Sequence, residues 1–480
     1  MLTFTNYIGG EFVVAVDGQT IDNIAPAKGQ VYSTIPRSSS LDVGNAVAAA
    51  KAAQPAWARL SRQERSDWLV KIADALEARI EEIAITESKD TGKPIALARA
   101  VDASRSVNNF RFFATELLDR PREEYRMNDA LNYVVDKPLG VVGLITPWNL
   151  PLYLLTWKIA PALAMGNTVV AKPSEITPST AFLLSQVLSD CGLPAGVVNI
   201  IHGYGHECGA DLVAHPDVSA ISFTGGTATG NAVAASAAPQ FKKLSLELGG
   251  KNATIILDDA DLEVAVAGAA RAAFLNQGQI CLCGSRIFVA SEIIVEFTER
   301  FTAHVANMRI GNPADEATEF GSLTSHAHRD KVESYIELAQ EEGGTILLGG
   351  NRPSLGQPFD NGAFLAPTII TNLTPDSRCA REEIFGPVVT IHEFSSEGEV
   401  IAFANATEYG LAGSVWTGDV ERGKRIAEAI DTGMVWINCW LHRDLRVPFG
   451  GVKNSGVGRE GGQRSLAFYS DAMNICVSDD

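Results

Sequence analysis

An alternation of strand-like and helix-like runs governs what this chain can fold into. Val141 to Thr146, Thr168 to Ala171, Val197 to Ile201, Ala220 to Phe223 and Lys243 to Glu247 are short, β-rich and bounded by turn residues, and read as strands. Between them, Pro151 to Ala164, Pro178 to Ser189, His206 to Val213 and Thr227 to Ser236 read as helices. Strand and helix in turn build βαβ units, hence a parallel sheet covered on both faces. Ligands of such sheets sit beyond the carboxyl ends of the strands. A second alternating region begins near Asn252, with strands expected near Thr254 to Leu257, Ser285 to Val289, Thr345 to Leu348, Phe364 to Ile370 and Val388 to Phe394.

The flanks are less regular. Apolar residues recur at helical spacing from Ser61 to Ser88, through Trp68, Leu69, Ile72, Leu76, Ile80 and Ile83, which predicts one amphipathic helix. A second helix is expected through Val107, Phe110, Phe113 and Leu117; the polar run Asp119 to Glu124 ends it and opens an excursion that lasts to Lys137. Glycines from Pro448 to Gly462 predict loop, and Met473 to Val477 alternates weakly, as a strand that pairs with another element or another subunit would. At 480 residues the chain exceeds what one core usually organises, so two lobes and a cleft are expected.

Charge and cysteine usage narrow the partners. A net charge of -18 repels nucleic acid and anionic membrane surfaces, so neither is expected as a partner. No apolar run is long enough for a transmembrane helix. Residues Met1 to Tyr7 lack the basic and apolar regions of a secretory signal, and seven scattered cysteines argue for a reducing compartment. The cytoplasm is the expected location, although an organellar protein stripped of its presequence would look the same.

Several short motifs can carry chemistry. Cys281, in Asn276-Gln277-Gly278-Gln279-Ile280-Cys281, follows a polar loop and precedes a strand, where a scaffold presents reactive groups. A lone cysteine is more often a buried structural residue. Cys281 and Cys283 lack a second pair or a histidine cluster at ligand spacing, so no metal is expected. A thiol nucleophile needs a lowered pKa or a base, and none of the eight histidines is an obvious partner. Glu247 ends a strand before Gly249 and Gly250, and can point into a cleft to activate water; a solvated strand-end carboxylate is the plainer alternative. Asn149, between Pro147 and Pro151, can donate a hydrogen bond to an oxyanion or simply cap the following helix. Two glycine segments compete for dinucleotide phosphates. His202 to Gly209 departs from the usual fingerprint, whereas Phe223 to Gly230 places backbone amides at a helix N-terminus and is preferred.

Together these blocks resemble the aldehyde dehydrogenase superfamily. The resemblance is carried by Pro147-Trp148-Asn149, Lys172-Pro173-Ser174-Glu175, the Phe223 to Gly230 loop, Glu247 to Lys251, Gly278 to Arg286, Glu383-Ile384-Phe385-Gly386-Pro387 and Pro448-Phe449-Gly450-Gly451, which lie in family order along nearly the whole chain. It implies an α/β fold with a Rossmann-like cofactor lobe (1–120 and 138–248), an α/β catalytic lobe (249–447) and a small β oligomerisation extension (121–137 and 448–480). It implies Cys281 as nucleophile, Glu247 as the base that activates the hydrolytic water, and an oxyanion site of the Asn149 side chain and the Cys281 backbone amide. A donor of this kind is worth roughly 3 to 4 kcal/mol of barrier.

The same resemblance implies a nicotinamide dinucleotide cofactor. Lys172, Ser174 and Glu175 would meet its adenosine end, and Glu383 and Phe385 its nicotinamide end. Ile145, Thr146, Pro147 and Trp148 would line the strand end beside it, and Phe223, Thr224, Gly225, Gly226, Thr229 and Leu248 the phosphate side. A carboxylate at Glu175 accepts from ribose hydroxyls and repels a 2′-phosphate, which favours NAD over NADP without making the preference absolute. At Gly226 many relatives have serine, so a hydroxyl contact is missing here.

Within the superfamily the chain resembles the 2-aminomuconate and 2-hydroxymuconate semialdehyde dehydrogenases, through Arg105 to Ala114, Leu154 to Lys158 and Asn438 to Arg446. That similarity implies Arg105 and Arg443 facing a distal carboxylate of the aldehyde, with Leu154, Trp157 and Phe449 also at the substrate. Bidentate guanidinium contacts suit such an anion. This subgroup often has Ile-Pro before the first arginine, where this chain has Ala103-Ser104. Surface or interdomain salt bridges are the ordinary fate of an arginine. A broad-specificity aldehyde dehydrogenase or a CoA-acylating relative are the alternatives, and a homodimer or homotetramer is expected.

Overall fold

In the computed structural model, which describes residues 2–479, two mixed sheets dominate. The first has eight strands. In spatial order they are Gly456–Val457, Lys243–Glu247, Val218–Thr224, Val141–Ile145, Thr168–Lys172, Val198–Ile200, Asn6–Ile8 and Glu11–Val13. The five central strands run parallel, and the outer ones are antiparallel additions. Chain order reverses at Val141–Ile145, whose successors lie to one side while Val218–Thr224 lies on the other. A reversal of this kind opens a crevice at the carboxyl ends, between Ile145 and Thr224. Three of the four expected helices between these strands fall where the alternation predicts, Pro151–Ala164 to the residue.

The second sheet has seven strands, in the order Thr345–Leu348, Thr368–Thr371, Val388–Phe394, Arg286–Ala290, Ala253–Ile256, Ala412–Trp416 and Met434–Ile437. All but the first run parallel. Its central strands are wholly buried, as expected of parallel strands covered on both faces. A third, three-stranded sheet stands apart: Ser470–Ser478 pairs antiparallel with Ala130–Pro138 over nine residues, and Glu124–Arg126 adds an edge. Most of Ser470–Ser478 is solvent-exposed.

Several expectations are corrected. The Ser61 to Ser88 stretch is two helices, Arg62–Glu77 and Ile80–Thr91. Ser61 and Glu64 close a capping box on the first; Arg79, at φ -115° and ψ 20°, breaks the helical path before the second. The His206 to Val213 helix is a π turn, Gly205–Gly209, running into Ala210–Ala214. Phe364 to Ile370 is strand only from Thr368. Within Pro448 to Gly462, Gly456–Val457 is not loop but an edge strand against Leu246 and Glu247. Among the described residues, no helix is long and apolar enough to cross a membrane.

Candidate active site

The crevice at the sheet reversal continues into a cleft between the two large sheets. Its walls include Asn149, Glu247 and Cys281, three residues far apart in sequence. Each reaches the cleft for a local reason.

Cys281 follows the 3-10 turn Leu275–Gly278, in which Asn276, Gln277 and Gly278 all have positive φ, at 54°, 57° and 70°. Only glycine takes such angles without cost. At Gly278 a side chain is excluded twice over, since a Cβ would meet the Gly386 carbonyl oxygen at 2.2 Å. The turn is locked by Asn252, whose side-chain amide donates to the Cys281 carbonyl at 2.7 Å and the Cys283 carbonyl at 2.9 Å. Cys281 is half-buried on the cleft wall, whereas Cys283 is the buried, structural cysteine of the pair. Burial pushes the Cys281 thiol well above its ordinary pKa; Glu383 and Glu247 push it further, and Arg443 opposes them. The resting thiol therefore keeps its proton.

Glu247 ends its strand inside the protein, not in solvent, and is 4% exposed. Neither carboxylate oxygen has a hydrogen-bond partner among the described residues. Desolvation raises its pKa well above the carboxylate range; Glu460 adds to the rise, and Lys158, Arg443 and Arg459 counter it. Glu460 itself is held by the Lys158 ammonium at 2.8 Å and the Trp157 indole N–H at 2.6 Å. A buried carboxylate with elevated proton affinity and free lone pairs is a competent base.

Asn149 is buried and does not cap the helix that follows; Leu150 occupies that position. Its side-chain Nδ2 donates to the Gln279 carbonyl at 2.9 Å, and its own backbone carbonyl accepts from Lys93 Nζ at 2.9 Å and Asn276 Nδ2 at 3.1 Å. Lys93 is in turn paired with Asp102 at 2.6 Å.

The dinucleotide segments also converge. Pro147, Trp148, Thr224, Gly225, Gly226 and Leu248 face the cleft from the first sheet, and Glu383 and Phe385 from the side of the second. Helix Thr227–Ala237 begins at Gly226, which has no side-chain cap, so its first N–H groups point into the crevice. Gly230 lets this helix approach Leu248, where a Cβ would come within 2.5 Å. Glu383 accepts from Gly250 N–H at 2.8 Å, and a Cβ on Gly249 would strike its carboxylate at 2.2 Å. His328, its pKa lowered to about 4 by burial, donates to the Phe385 carbonyl at 2.7 Å and packs against Trp148. Trp148 and Phe385 meet edge to face, with centroids 5.2 Å apart.

Other expected residues lie off this wall. Ile145 and Thr146 sit at the strand end beneath it, and the buried Thr146 hydroxyl has no hydrogen-bond partner among the described residues. Lys172 closes the neighbouring strand, and its ammonium meets Glu175 at 2.9 Å. The Ser174 hydroxyl is taken up by the Ile176 N–H at 3.3 Å. Phe223 underlies Gly225, and Thr229 is exposed on the first turn of its helix. Together, the helix N-terminus, the Lys172–Glu175 pair and the Thr146 hydroxyl fit a pyrophosphate flanked by two riboses.

On the substrate side, Arg105, Leu154, Arg443 and Phe449 line the cleft. Trp157 does not; it is 1% exposed and lies behind Arg443, whose guanidinium is 4.7 Å from its ring. No acidic side chain among the described residues pairs with Arg105 or Arg443, so the salt-bridge alternative does not hold. Lys93, Tyr153, Lys158, His328 and Glu460 are site residues that sequence reasoning missed. Each is an isolated polar residue with partners distant in the chain, and no local pattern marks it.

A reversing parallel sheet with a glycine-lined phosphate crevice, facing a cysteine, a buried glutamate and an asparagine, defines a dinucleotide-dependent oxidoreductase of the thioester-forming kind. The chain belongs to the aldehyde dehydrogenase family, which matches residues 12–475. It is similar to 2-aminomuconic semialdehyde dehydrogenase of Mus musculus, 48% identical over 481 residues, covering 99% of this chain and 98% of that protein. It is also similar to 2-hydroxymuconic semialdehyde dehydrogenase of Pseudomonas sp. (strain CF600), 45% identical over 484 residues, covering 99% of this chain and 100% of that one. Among solved structures, PnpE from Pseudomonas sp. WBC-3 superposes with a TM-score of 0.97 at 44% identity, covering 100% of this chain and 98% of that chain. PnpE has also been solved in complex with nicotinamide adenine dinucleotide.

Proposed function

We propose that this protein oxidises a carboxylated semialdehyde, of the 2-aminomuconate or 2-hydroxymuconate type, to the acid with NAD. The observation that carries the reading is the meeting of Cys281, Glu247 and Asn149 in one cleft with two arginines that form no salt bridge among the described residues. The names of the relatives support the same substrate class.

The residues divide the work as follows. Cys281 gives its thiol proton to water in the cleft as Sγ adds to the aldehyde carbon, and the carbonyl oxygen becomes an oxyanion. The Asn149 side chain and the Cys281 backbone amide donate to that oxygen in a water-poor site, where such donors are worth most. Bound NAD would supply the hydride acceptor. Loss of hydride from the carbon leaves a thioester on Cys281. Glu247 then takes a proton from water; the water oxygen attacks the thioester carbon, the C–S bond breaks, and the acid leaves. Glu383 and Phe385 would orient the nicotinamide end, and Lys172 and Glu175 the adenosine end. Glu175 favours NAD over NADP by repelling a 2′-phosphate.

The division into a cofactor lobe (1–120 and 138–248), a catalytic lobe (249–447) and a bridging extension (121–137 and 448–480) belongs to the same proposal. Within the extension, Ser470–Ser478 forms the exposed sheet with Ala130–Pro138, while Gly456–Val457 joins the cofactor sheet. Tyr125, Met473 and Val477 are exposed there, which supports a homodimer or homotetramer built through it. A cytoplasmic location accords with seven free cysteines.

The test is a steady-state assay of the purified protein with NAD and a carboxylated aldehyde. Aldehyde-dependent NADH formation without coenzyme A is expected. A strict requirement for coenzyme A would favour thioester transfer instead, and no NADH with any aldehyde would contradict the proposal.

A further inference from the structure

The two cleft arginines are held by one aromatic residue. Tyr153 lies on helix Pro151–Ala164, lines the cleft and is 2% exposed. Its hydroxyl accepts from Arg443 Nη1 at 2.5 Å. Its ring lies 5.9 Å from the Arg443 guanidinium and 5.4 Å from that of Arg105. Arg443 is boxed further by Phe449 at 4.2 Å and Trp157 at 4.7 Å. The other terminal nitrogen of Arg443, Nη2, is buried without a hydrogen-bond partner among the described residues.

Two like charges on one side chain need a reason to stay together. The electron-rich face of a tyrosine attracts each cation, and it offsets part of their repulsion. A buried guanidinium N–H without an acceptor is costly, and such groups usually await one. The acceptor is not a protein carboxylate, since none pairs with either arginine among the described residues. The phenol supplies a further donor: its lone pair is taken by Arg443, which leaves the O–H proton free to point into the cleft. Tyr153 is itself fixed from behind, where its backbone carbonyl accepts from the buried Asn109 amide at 3.0 Å.

We propose that Tyr153 is a specificity-determining residue, which assembles Arg105 and Arg443 into one seat and donates its own O–H to the distal carboxylate of the substrate. This rests on the carboxylated-semialdehyde reading above and deepens it. The seat selects an aldehyde with a carboxylate at its far end. A neutral aldehyde would gain nothing from it and would leave three donors unmet.

The experiment compares kcat and KM for succinic semialdehyde and for butanal in the native enzyme, Tyr153→Phe, Arg443→Leu and the double variant. Tyr153→Phe keeps the ring and the fold while removing the hydroxyl. It should raise KM for the anionic aldehyde about tenfold or more, the loss expected of a hydrogen bond to a charged group, and change KM for butanal far less. In the Arg443→Leu background the same change should add little, because the two groups act as a unit. Equal effects of Tyr153→Phe on both aldehydes, or full additivity in the double variant, would overturn the role of Tyr153 while Arg443→Leu alone still discriminated by charge. If Arg443→Leu also failed to discriminate, the carboxylate reading itself would fall. NAD-dependent thermal stabilisation of each variant separates loss of the seat from loss of the fold.

Discussion

The side-chain amide nitrogen of Asn149 lies 2.9 Å from the carbonyl oxygen of Gln279, two residues before Cys281. One N–H of the amide is thus tied to the loop that carries Cys281, and the second is left for the oxyanion of the proposed reaction. The hydrogen bond fixes the Asn149 amide relative to the Cys281 loop. Replacing Asn149 by Ala should lower kcat by about 10²–10³-fold, the cost of one preorganised oxyanion donor. NAD affinity, read by fluorescence titration, should change little. An equal loss of NAD affinity would mean that the asparagine holds the fold of the crevice instead.

Glu247→Gln separates the two halves of the reaction. Acylation precedes the need for activated water, so the variant should give a stoichiometric burst of NADH followed by collapsed turnover. Rapid-mixing measurement reads both phases. Loss of the burst as well would mean that Glu247 also takes the thiol proton, which the raised pKa of Cys281 makes necessary for some base.

The pH dependence follows from the charges around Glu247. The base works deprotonated, and burial and Glu460 raise its pKa, so deacylation should gain rate as pH rises through a range above that of an ordinary carboxylic acid. Glu460→Gln removes the repelling charge and frees Lys158 to attract more strongly, so the acid limb should move to lower pH. Lys158→Met removes an attracting charge and should move it to higher pH. Breaking this buried pair costs about 3–5 kcal/mol of stability, so the profiles are taken well below the unfolding temperature of each variant. Limbs that stay in place would detach Glu460 and Lys158 from the base.

Much of the cofactor sheet was legible because its signal is repetitive: Val141–Ile145, Thr168–Lys172 and Val218–Thr224 are short, rich in apolar and β-branched residues, and each is followed by an α-helix. The set of Cys281, Glu247 and Asn149 was legible only through motifs whose residues are adjacent in sequence. What failed has physical reasons. Ala78 and Arg79 break a helix without glycine or proline, so the Ser61 to Ser88 run reads as continuous. Asn6–Ile8 and Glu11–Val13 are three residues each, too short to alternate; they pair with each other and join the sheet only where Tyr7 meets Ile200. Ala412–Trp416 and Met434–Ile437 were missed beside the glycines and polar residues that flank them. Trp157 was placed at the substrate by resemblance, but the helix turns it inward to Glu460. Lys93, Tyr153 and Glu460 became site residues only through partners 56 to 303 positions away.

Gly226 offers a gain rather than a loss. A Cβ there meets nothing within 4 Å, and the position is the N-cap of Thr227–Ala237. Gly226→Ser should stabilise the fold by a few tenths of a kcal/mol as a better cap, and should lower the Kd for NAD through one added hydroxyl at the phosphate crevice. Calorimetric titration checks the affinity. Weaker NAD binding would place the pyrophosphate elsewhere.

The central claim concerns one sulfur, and it can be weighed directly. Rapid quenching of the enzyme with NAD and a carboxylated aldehyde during turnover of Glu247→Gln, followed by intact-mass and peptide mapping, should show one acyl group per chain on Cys281. An acyl group mapped to another residue, or no adduct while NADH accumulates, would contradict the account.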